Sequence, residues 1–271
     1  MKRKVLLLLF LLLLPLPAEP AWNEDNLARI PKDQKEFSFV VVGDTQGPNS
    51  KFPKVLPSIL AEEGPLFVFN LGDLVNYATE QEYEDTFFRH VRGLTLPFLT
   101  CASNHDHFKS KNAANYSRLF GAPHYYSFSV GNACFIVLDN GQDWSLNESQ
   151  FGWLEEVLKK ARAFPWRFVM MHRPLRDPRP KRTPHDMSGN PENVERLNRL
   201  FDGYGVTMVF TGHIHSFYTG KWGNTPYIIT GGGGGGLYDK GTPASFHHYI
   251  RVDVGPEGPA YKVVKPQMTS G

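Results

Sequence analysis

Seven short apolar runs punctuate the chain: FSFVVVG from residue 37, PLFVFNLG from 65, PFLTCAS from 97, NACFIVLD from 132, WRFVMMH from 166, VTMVFTG from 206 and TPYIITG from 225. Each has the length of a strand, is rich in Val, Ile or Phe, and ends at small or polar residues, so buried strands are expected. Between them, residues 51–63, 80–91, 149–161 and 192–201 carry helical spacing. In the third of these, Phe151, Leu154, Val157 and Leu158 share one face, and Ser149 is placed to cap the start. Strand alternating with helix predicts an α/β fold of stacked layers.

The first residues, MKRKVLLLLFLLLLPLPAEPAW, place Lys2, Arg3 and Lys4 before an unbroken apolar run from Val5 to Leu14. This is the pattern of a secretory signal peptide, cleaved after Ala18 or Ala21, and the run falls short of the roughly 20 residues a membrane span needs. The expectation is an exported chain, periplasmic or secreted, with no stable membrane anchor after cleavage. Its parts would be a signal peptide over 1–21, a lead-in over 22–36, one domain over 37–265 and a tail over 266–271. Loss of residues 1–21 takes the formal net charge from +2 to 0, so nothing asks for duplex nucleic acid as a partner. Cys101 and Cys134 both sit in apolar runs, where buried free thiols are expected rather than a disulfide.

Polar residues gather where the strands end, as GDTQ, GDLVN, SNHD, MHRP and TGHIH. In open α/β sheets the carboxyl ends of strands are where ligands bind. Singly, each cluster has an ordinary explanation: Asp44 or Asp73 as a cap or turn residue, Asn104 as a turn residue, His172 as a satisfied half-buried histidine. His213 and His215, two apart on an extended segment, project to one face, a spacing that suits chelation and also arises by chance. Together the five ends supply carboxylate, carboxylate, amide with imidazole, imidazole, and a pair of imidazoles, a set able to fill two divalent-cation sites.

In order and residue type these clusters resemble the calcineurin-like metallophosphoesterase superfamily, to which the purple acid phosphatases are related. Its signature reads D-x-H, G-D-x-x-D/N, G-N-H-D/E, H and G-H-x-H. The matching stretches here are Asp44-Thr45-Gln46, Gly72-Asp73-Leu74-Val75-Asn76, Ser103-Asn104-His105-Asp106, His172, and Gly212-His213-Ile214-His215, within a similarity that extends from Phe37 to Val254. The resemblance implies a four-layer α-β-β-α sandwich of two mixed sheets flanked by helices, and metal-dependent hydrolysis of phosphate esters. Carried over position by position, Asp73 would bridge two divalent ions. Asp44 and His215 would complete the first site, and Asn104, His172 and His213 the second. A hydroxide bridging the ions would attack in line, with His105 assisting the leaving group. The substrate implied is a phosphorylated small molecule.

Two positions depart from the signature. Ser103 stands where glycine is usual and touches no ligand. Gln46 stands where a histidine ligand is usual. As a ligand through its carbonyl oxygen it would make the first site richer in oxygen, favouring manganese or iron there, with zinc and magnesium as alternatives; the other reading has it hydrogen-bonding a metal-held water. The purple acid phosphatases place an iron-binding tyrosinate three residues after the bridging aspartate. Here that residue is Asn76 and Tyr77 is the fourth, which implies no tyrosinate–iron colour.

The stretch RPLRDPRPKRTPHDMSGNP, residues 173–191, follows His172 directly; it reads as a solvated loop or as a cationic flap in which Arg173 and Arg176 meet phosphate oxygens. Asp106 reads as an orienting partner of His105 or as a turn residue. The six glycines from Gly231 to Gly236 read as a flexible linker or as backbone in close approach to the site, and His247 and His248 as alternating faces of a strand. A phosphodiesterase acting on nucleotides or phospholipid headgroups is the alternative to a monoesterase, and a non-catalytic metal- or phosphate-binding protein is the rival from another class.

Overall fold

The lack of alternation in FSFVVV has a structural cause. In β1 (Phe37–Val42), Phe39 and Val41 belong to one apolar layer while Val40 and Val42 belong to another, so both faces of the strand are covered. A strand buried on both sides cannot show a polar face. The computed structural model describes residues 21–108, 113–179 and 184–268, and within them all seven apolar runs form strands.

β1 lies at the centre of a five-stranded sheet. It pairs in parallel with β2 (Pro65–Asn70), which pairs in parallel with β3 (Phe98–Thr100). On its other side it runs antiparallel to a late strand, Tyr249–Gly255, which forms a hairpin with the last one, Gly258–Val264. The second sheet has six strands: β4 (Tyr126–Val130), β5 (Ala133–Val137), β6 (Trp166–Met170), β7 (Met208–Thr211), β8 (Phe217–Trp222) and β9 (Thr225–Thr230). Its spatial order is β4-β5-β6-β7-β9-β8, antiparallel at both ends and parallel between; the late strands of the first sheet are β10 and β11.

The two sheets close on an aromatic layer. Phe39 stands in its middle, with ring centroids 5.3 Å from Phe67, 5.2 Å from Phe135 and 5.3 Å from Phe168. Outside the first sheet lie α2 (Phe52–Leu60) and a helical stretch made of α3 (Glu80–Tyr83), a π-turn (Glu84–Phe88) and α4 (Arg89–Val91). Outside the second lie α7 (Glu148–Ala161) and α8 (Pro191–Gly203). The fold is therefore a four-layer sandwich of two mixed sheets between helices. Cys101 belongs to the layer between the sheets and Cys134 to the layer under α7 and α8, and both are free thiols. Burial pushes the Cys134 thiol up to about 11.

One detail differs from the sequence expectation. α7 begins one residue early, because Asn147 takes an extended backbone and its carboxamide accepts from the Gln150 amide; Ser149 lies inside the helix and caps nothing. The lead-in packs against the domain. Its helix α1 (Trp22–Arg29) seals the outer edge of β3: the Asn23 carboxamide accepts from Thr100 N at 3.0 Å, and that of Asn26 accepts from Phe98 N at 2.7 Å. Side-chain amides thus satisfy an edge that would otherwise invite another strand. No helix of the described residues is long and apolar enough to cross a membrane. The signal-peptide run lies outside the described residues, as do residues 269–271 of the expected tail.

Phe39→Ala removes the ring that both sheets share. It should lower the unfolding free energy by about 3–5 kcal/mol, read as a reduced midpoint with little change of slope in urea denaturation.

Candidate metal centre

At the ends of β1, β2 and β7 the chain turns through left-handed backbone at a residue other than glycine. Asp44 has φ 60°, Asp73 φ 51° and His213 φ 66°. Aspartate and histidine tolerate this region better than most residues, and such strain persists where the surroundings impose it. The glycine before each permits close crossing of the loops: a Cβ on Gly72 would lie 2.7 Å from Ser103 Cβ, and one on Gly212 2.4 Å from Asp44 Oδ2. The Asp44 carboxylate accepts from the His213 amide at 2.9 and 3.0 Å, which locks the first strand end to the last.

These turns bring the predicted donors together. Asp44, Asp73 and His215 offer ligand atoms within 4.8 Å of one another, and so do Asp73, His172 and His213. Asp73 is common to both sets. The fourth donor expected of the second set, Asn104, lies at the start of α5 (Asn104–Phe108) with Oδ1 2.9 Å from His172 Nε2. Gln46 donates through Nε2 to Asp73 Oδ2 at 3.2 Å, while its buried Oε1 has no hydrogen-bond partner among the described residues.

Proton bookkeeping shows what this cage fits. His172 Nδ1 donates to the Leu71 carbonyl at 2.8 Å, and His215 Nδ1 to the Gly236 carbonyl at 2.7 Å. A carbonyl can only accept, so in the neutral imidazoles both Nε2 atoms turn a lone pair inward. His172 Nε2 then has one donor, His213 Nδ1 at 3.2 Å, but also faces Asn104 Oδ1 at 2.9 Å and Asp73 Oδ1 at 3.3 Å, and His215 Nε2 faces Asp44 Oδ1 at 3.2 Å. Lone pairs confronting lone pairs call for positive charge between them, supplied by protons or by cations. Burial opposes ionisation of Asp73, yet His172, His105 and His213 hold its carboxyl well below the usual carboxylate range. Burial likewise opposes protonation of His215, and Asp44 overrides it, pushing His215 up to about 8. The donor set therefore fits a pair of cations, and the backbone carbonyls behind the imidazoles are the supports metal-binding histidines use.

The family model for calcineurin-like phosphoesterases matches residues 37–217. The chain belongs to the calcineurin-like phosphoesterase family. It is 30% identical over 208 residues to acid phosphatase type 7 of Mus musculus, covering 66% of this chain and 46% of that protein. It is 28% identical over 208 residues to purple acid phosphatase 22 of Arabidopsis thaliana, covering 70% of this chain and 46% of that one. The chain thus spans less than half the length of these curated relatives. In structure it is similar to a purple acid phosphatase of yellow lupin (Lupinus luteus) seeds, with a TM-score of 0.69 at 17% identity over 86% of this chain and 52% of that one.

Around this phosphoesterase-type centre the remaining predicted residues divide. His105 is brought to it: Nδ1 donates to the Asn76 carbonyl at 2.8 Å and Nε2 lies 3.9 Å from Asp73 Oδ2. Asp106 does not orient His105. Its carboxylate accepts from Ser103 N and Ser103 Oγ, both at 2.7 Å, and from the Tyr83 hydroxyl, so it ties the SNHD turn to α3. Arg173 is buried and donates through Nη1 to His213 Nε2 at 3.0 Å. A neutral imidazole has one lone pair, so offering His213 Nδ1 to a cation requires the proton on Nε2 and the guanidinium turned off it. Arg176, by contrast, is not gathered into the centre; it is exposed and pairs with Glu195 of α8 at 3.2 Å.

Sequence reasoning missed the aromatic surround. Tyr238 stacks on His215 at 4.4 Å, and Trp144, itself left-handed with φ 56°, carries the Arg173 guanidinium 3.7 Å over its ring. No motif announces either residue. The glycine run, left open above, lies against the centre as a cradle with Gly231 to Gly235 buried. Gly233 N donates to Gly43 O at 2.9 Å and Gly235 N to Asp44 O at 2.7 Å. His247 and His248 precede β10 rather than lying within it, and His247 Nδ1 lies 3.1 Å from Gly232 O.

A Cβ on Gly233 would sit 2.4 Å from Gly43 O, whereas one on Gly236 would meet nothing within 4 Å. Gly233→Ala should therefore displace the Asp44 loop and weaken cation binding by about 10- to 100-fold, with Gly236→Ala as a silent control. Metal titration of the two variants checks this.

Proposed function

We propose that this chain hydrolyses phosphate esters at a two-cation centre built on Asp73. What supports the reading is one buried carboxylate common to two donor clusters, with the ring of His105 at its edge. On this reading Asp44, Gln46 and His215 hold one ion and Asn104, His172 and His213 the other. Manganese or iron is favoured where Gln46 supplies oxygen, with zinc and magnesium as alternatives. When bound, the two ions would neutralise phosphoryl oxygens and lower the pKa of water enough to make it the nucleophile.

The residues of the chain supply the rest. His105 has its Nδ1 proton tied to Asn76 O, which aims Nε2 into the centre, and its side chain is 33% exposed, so the ring can meet a substrate. In the protonated form that Nε2 donates to the leaving oxygen. Arg173, once off His213, presents a planar pair of donors that match phosphate. A cleft of about 330 Å³ opens beside Gln46 and His215, with Lys51 and His247 on its wall. Its size suits a phosphorylated small molecule, and the names of the curated relatives, acid and purple acid phosphatases, favour a monoester. The N-terminal pattern supports export of the chain from residue 22 onward.

His105→Ala should lower kcat on an aryl phosphate by about 10²- to 10⁴-fold while bound metal stays unchanged. Failure of the metal-replete wild type to turn over any aryl mono- or diester would refute the proposal, and preference for the diester would favour the alternative substrate class. Gln46→Ala should weaken one cation selectively, and Gln46→His should restore it with a shift toward zinc. Equal stoichiometry and affinity in wild type and both variants would remove Gln46 from the ligands.

A further inference from the structure

A second cluster of ligating side chains lies on the other side of α5, where nothing above gives it a role. His107 from α5, His124 from the loop before β4, and Asp139, two residues past β5, place ligand atoms within 4.8 Å of one another. His107 Nε2 and His124 Nδ1 both point at the same oxygen, Asp139 Oδ2, from 3.0 and 2.9 Å. The three side chains are nearly enclosed, at 10%, 13% and 11% exposure for His107, His124 and Asp139.

Asp139 is held in place independently of the histidines. Its backbone N–H donates to Gln150 Oε1 and its carbonyl accepts from Gln150 Nε2, both at 2.8 Å, while Oδ1 accepts from Gly141 N at 3.0 Å. His124 is held from behind. Ser117, on α6 (Ala114–Phe120), has its hydroxyl 3.2 Å from the Ala113 carbonyl and 2.6 Å from His124 Nε2, so when its proton goes to the carbonyl its oxygen accepts from a proton on Nε2. In that arrangement the proton of a neutral His124 sits on Nε2, and the lone pair of Nδ1 is free for a cation shared with Asp139 Oδ2, 2.9 Å away. Two imidazoles and a carboxylate converging from three chain segments are a donor set for a first-row divalent ion. Their open side gives onto a cavity of about 350 Å³ whose wall offers further oxygens from Gln142, Asp143 and Ser145.

We propose that His107, His124 and Asp139 form a separate zinc-type cation site, three protein ligands with a fourth position open to this cavity. The site is independent of the Asp73 centre but mechanically joined to it. His105 and His107 stand two apart on a five-residue helix and so face opposite sides, one to each site. Gly141, held by Asp139, packs so closely on the loop before α5 that a Cβ there would lie 2.4 Å from the carbonyl carbon of Ser103. An ion at Asp139 would tie this loop to the helix that carries Asn104 and His105.

The test is a zinc titration of the metal-stripped full chain and its His124→Gln and Ser117→Ala variants, with bound metal counted after equilibrium dialysis. His124→Gln should bind one equivalent fewer than wild type; because this is a difference, it holds however many ions the Asp73 centre takes. Ser117→Ala should keep the ion with affinity reduced about 10- to 100-fold at that one site. Cobalt, bound in place of zinc, should lose one set of visible bands in His124→Gln and keep the others. Wild-type stoichiometry and affinity in both folded variants would overturn the proposal and make the cluster a hydrogen-bonded clasp charged by a proton. Should His124→Gln fail to fold, the Ser117→Ala affinity decides alone.

Discussion

The Asp73 carboxylate carries its charge where water is excluded, and most of the site follows from that. It is 2% exposed, and an uncompensated buried ion costs several kcal/mol. The compensation comes from imidazoles on loops that the sequence separates widely: His172 Nε2 at 3.3 Å from one oxygen and His105 Nε2 at 3.9 Å from the other. Each of those rings is fixed by a backbone carbonyl at its far nitrogen, Leu71 for His172 and Asn76 for His105. Protons and divalent ions are competing ways of filling the same electrostatic hole, so metal uptake at such a cage is accompanied by proton release.

Holding the cage open requires backbone that few residues adopt. Asp44, Asp73 and His213 are all left-handed, each directly after a glycine just past a strand end, and each would relax if its loop were free. They are not free. Gly233 and Gly235 donate to the carbonyls of Gly43 and Asp44, and Asp44 in turn accepts from the His213 amide. The glycine run is thus a surface that lets three strand ends meet without side chains between them. The aromatic layer between the sheets supplies the rigid base on which this strain is carried.

α5 shows how little chain is needed to join two chemical environments. Its five residues present Asn104 to His172, His105 to Asp73 and His107 to Asp139, while Asp106 turns back to hold Ser103 and Tyr83. Ser103, the departure from the family's glycine, uses its hydroxyl in that hold. A departure that touches none of the clustered donors directly still helps set where Asn104 and His105 point.

The seven buried strands and the five polar strand ends were legible because local chemistry dictates them: β-branched and aromatic runs want two covered faces, and glycine followed by Asp or His marks a chain leaving a sheet. The antiparallel strands β4, β8 and β11 were not legible, since YSFSV, FYTGKW and GPAYKVV are part-exposed and owe their state to a neighbouring strand. The same holds at the site. Sequence alone determined which donors exist and their order. Only the tertiary structure decided that Arg173 turns inward while Arg176 faces Glu195, that Asp106 serves the turn and not His105, that six glycines form a cradle, and that Tyr238 and Trp144 wall the centre. Those outcomes depend mostly on which groups meet from separate segments, from Arg176 and Glu195, 19 residues apart, to Asp44 and His213, 169 apart, and such contact is a property of packing that no local pattern encodes.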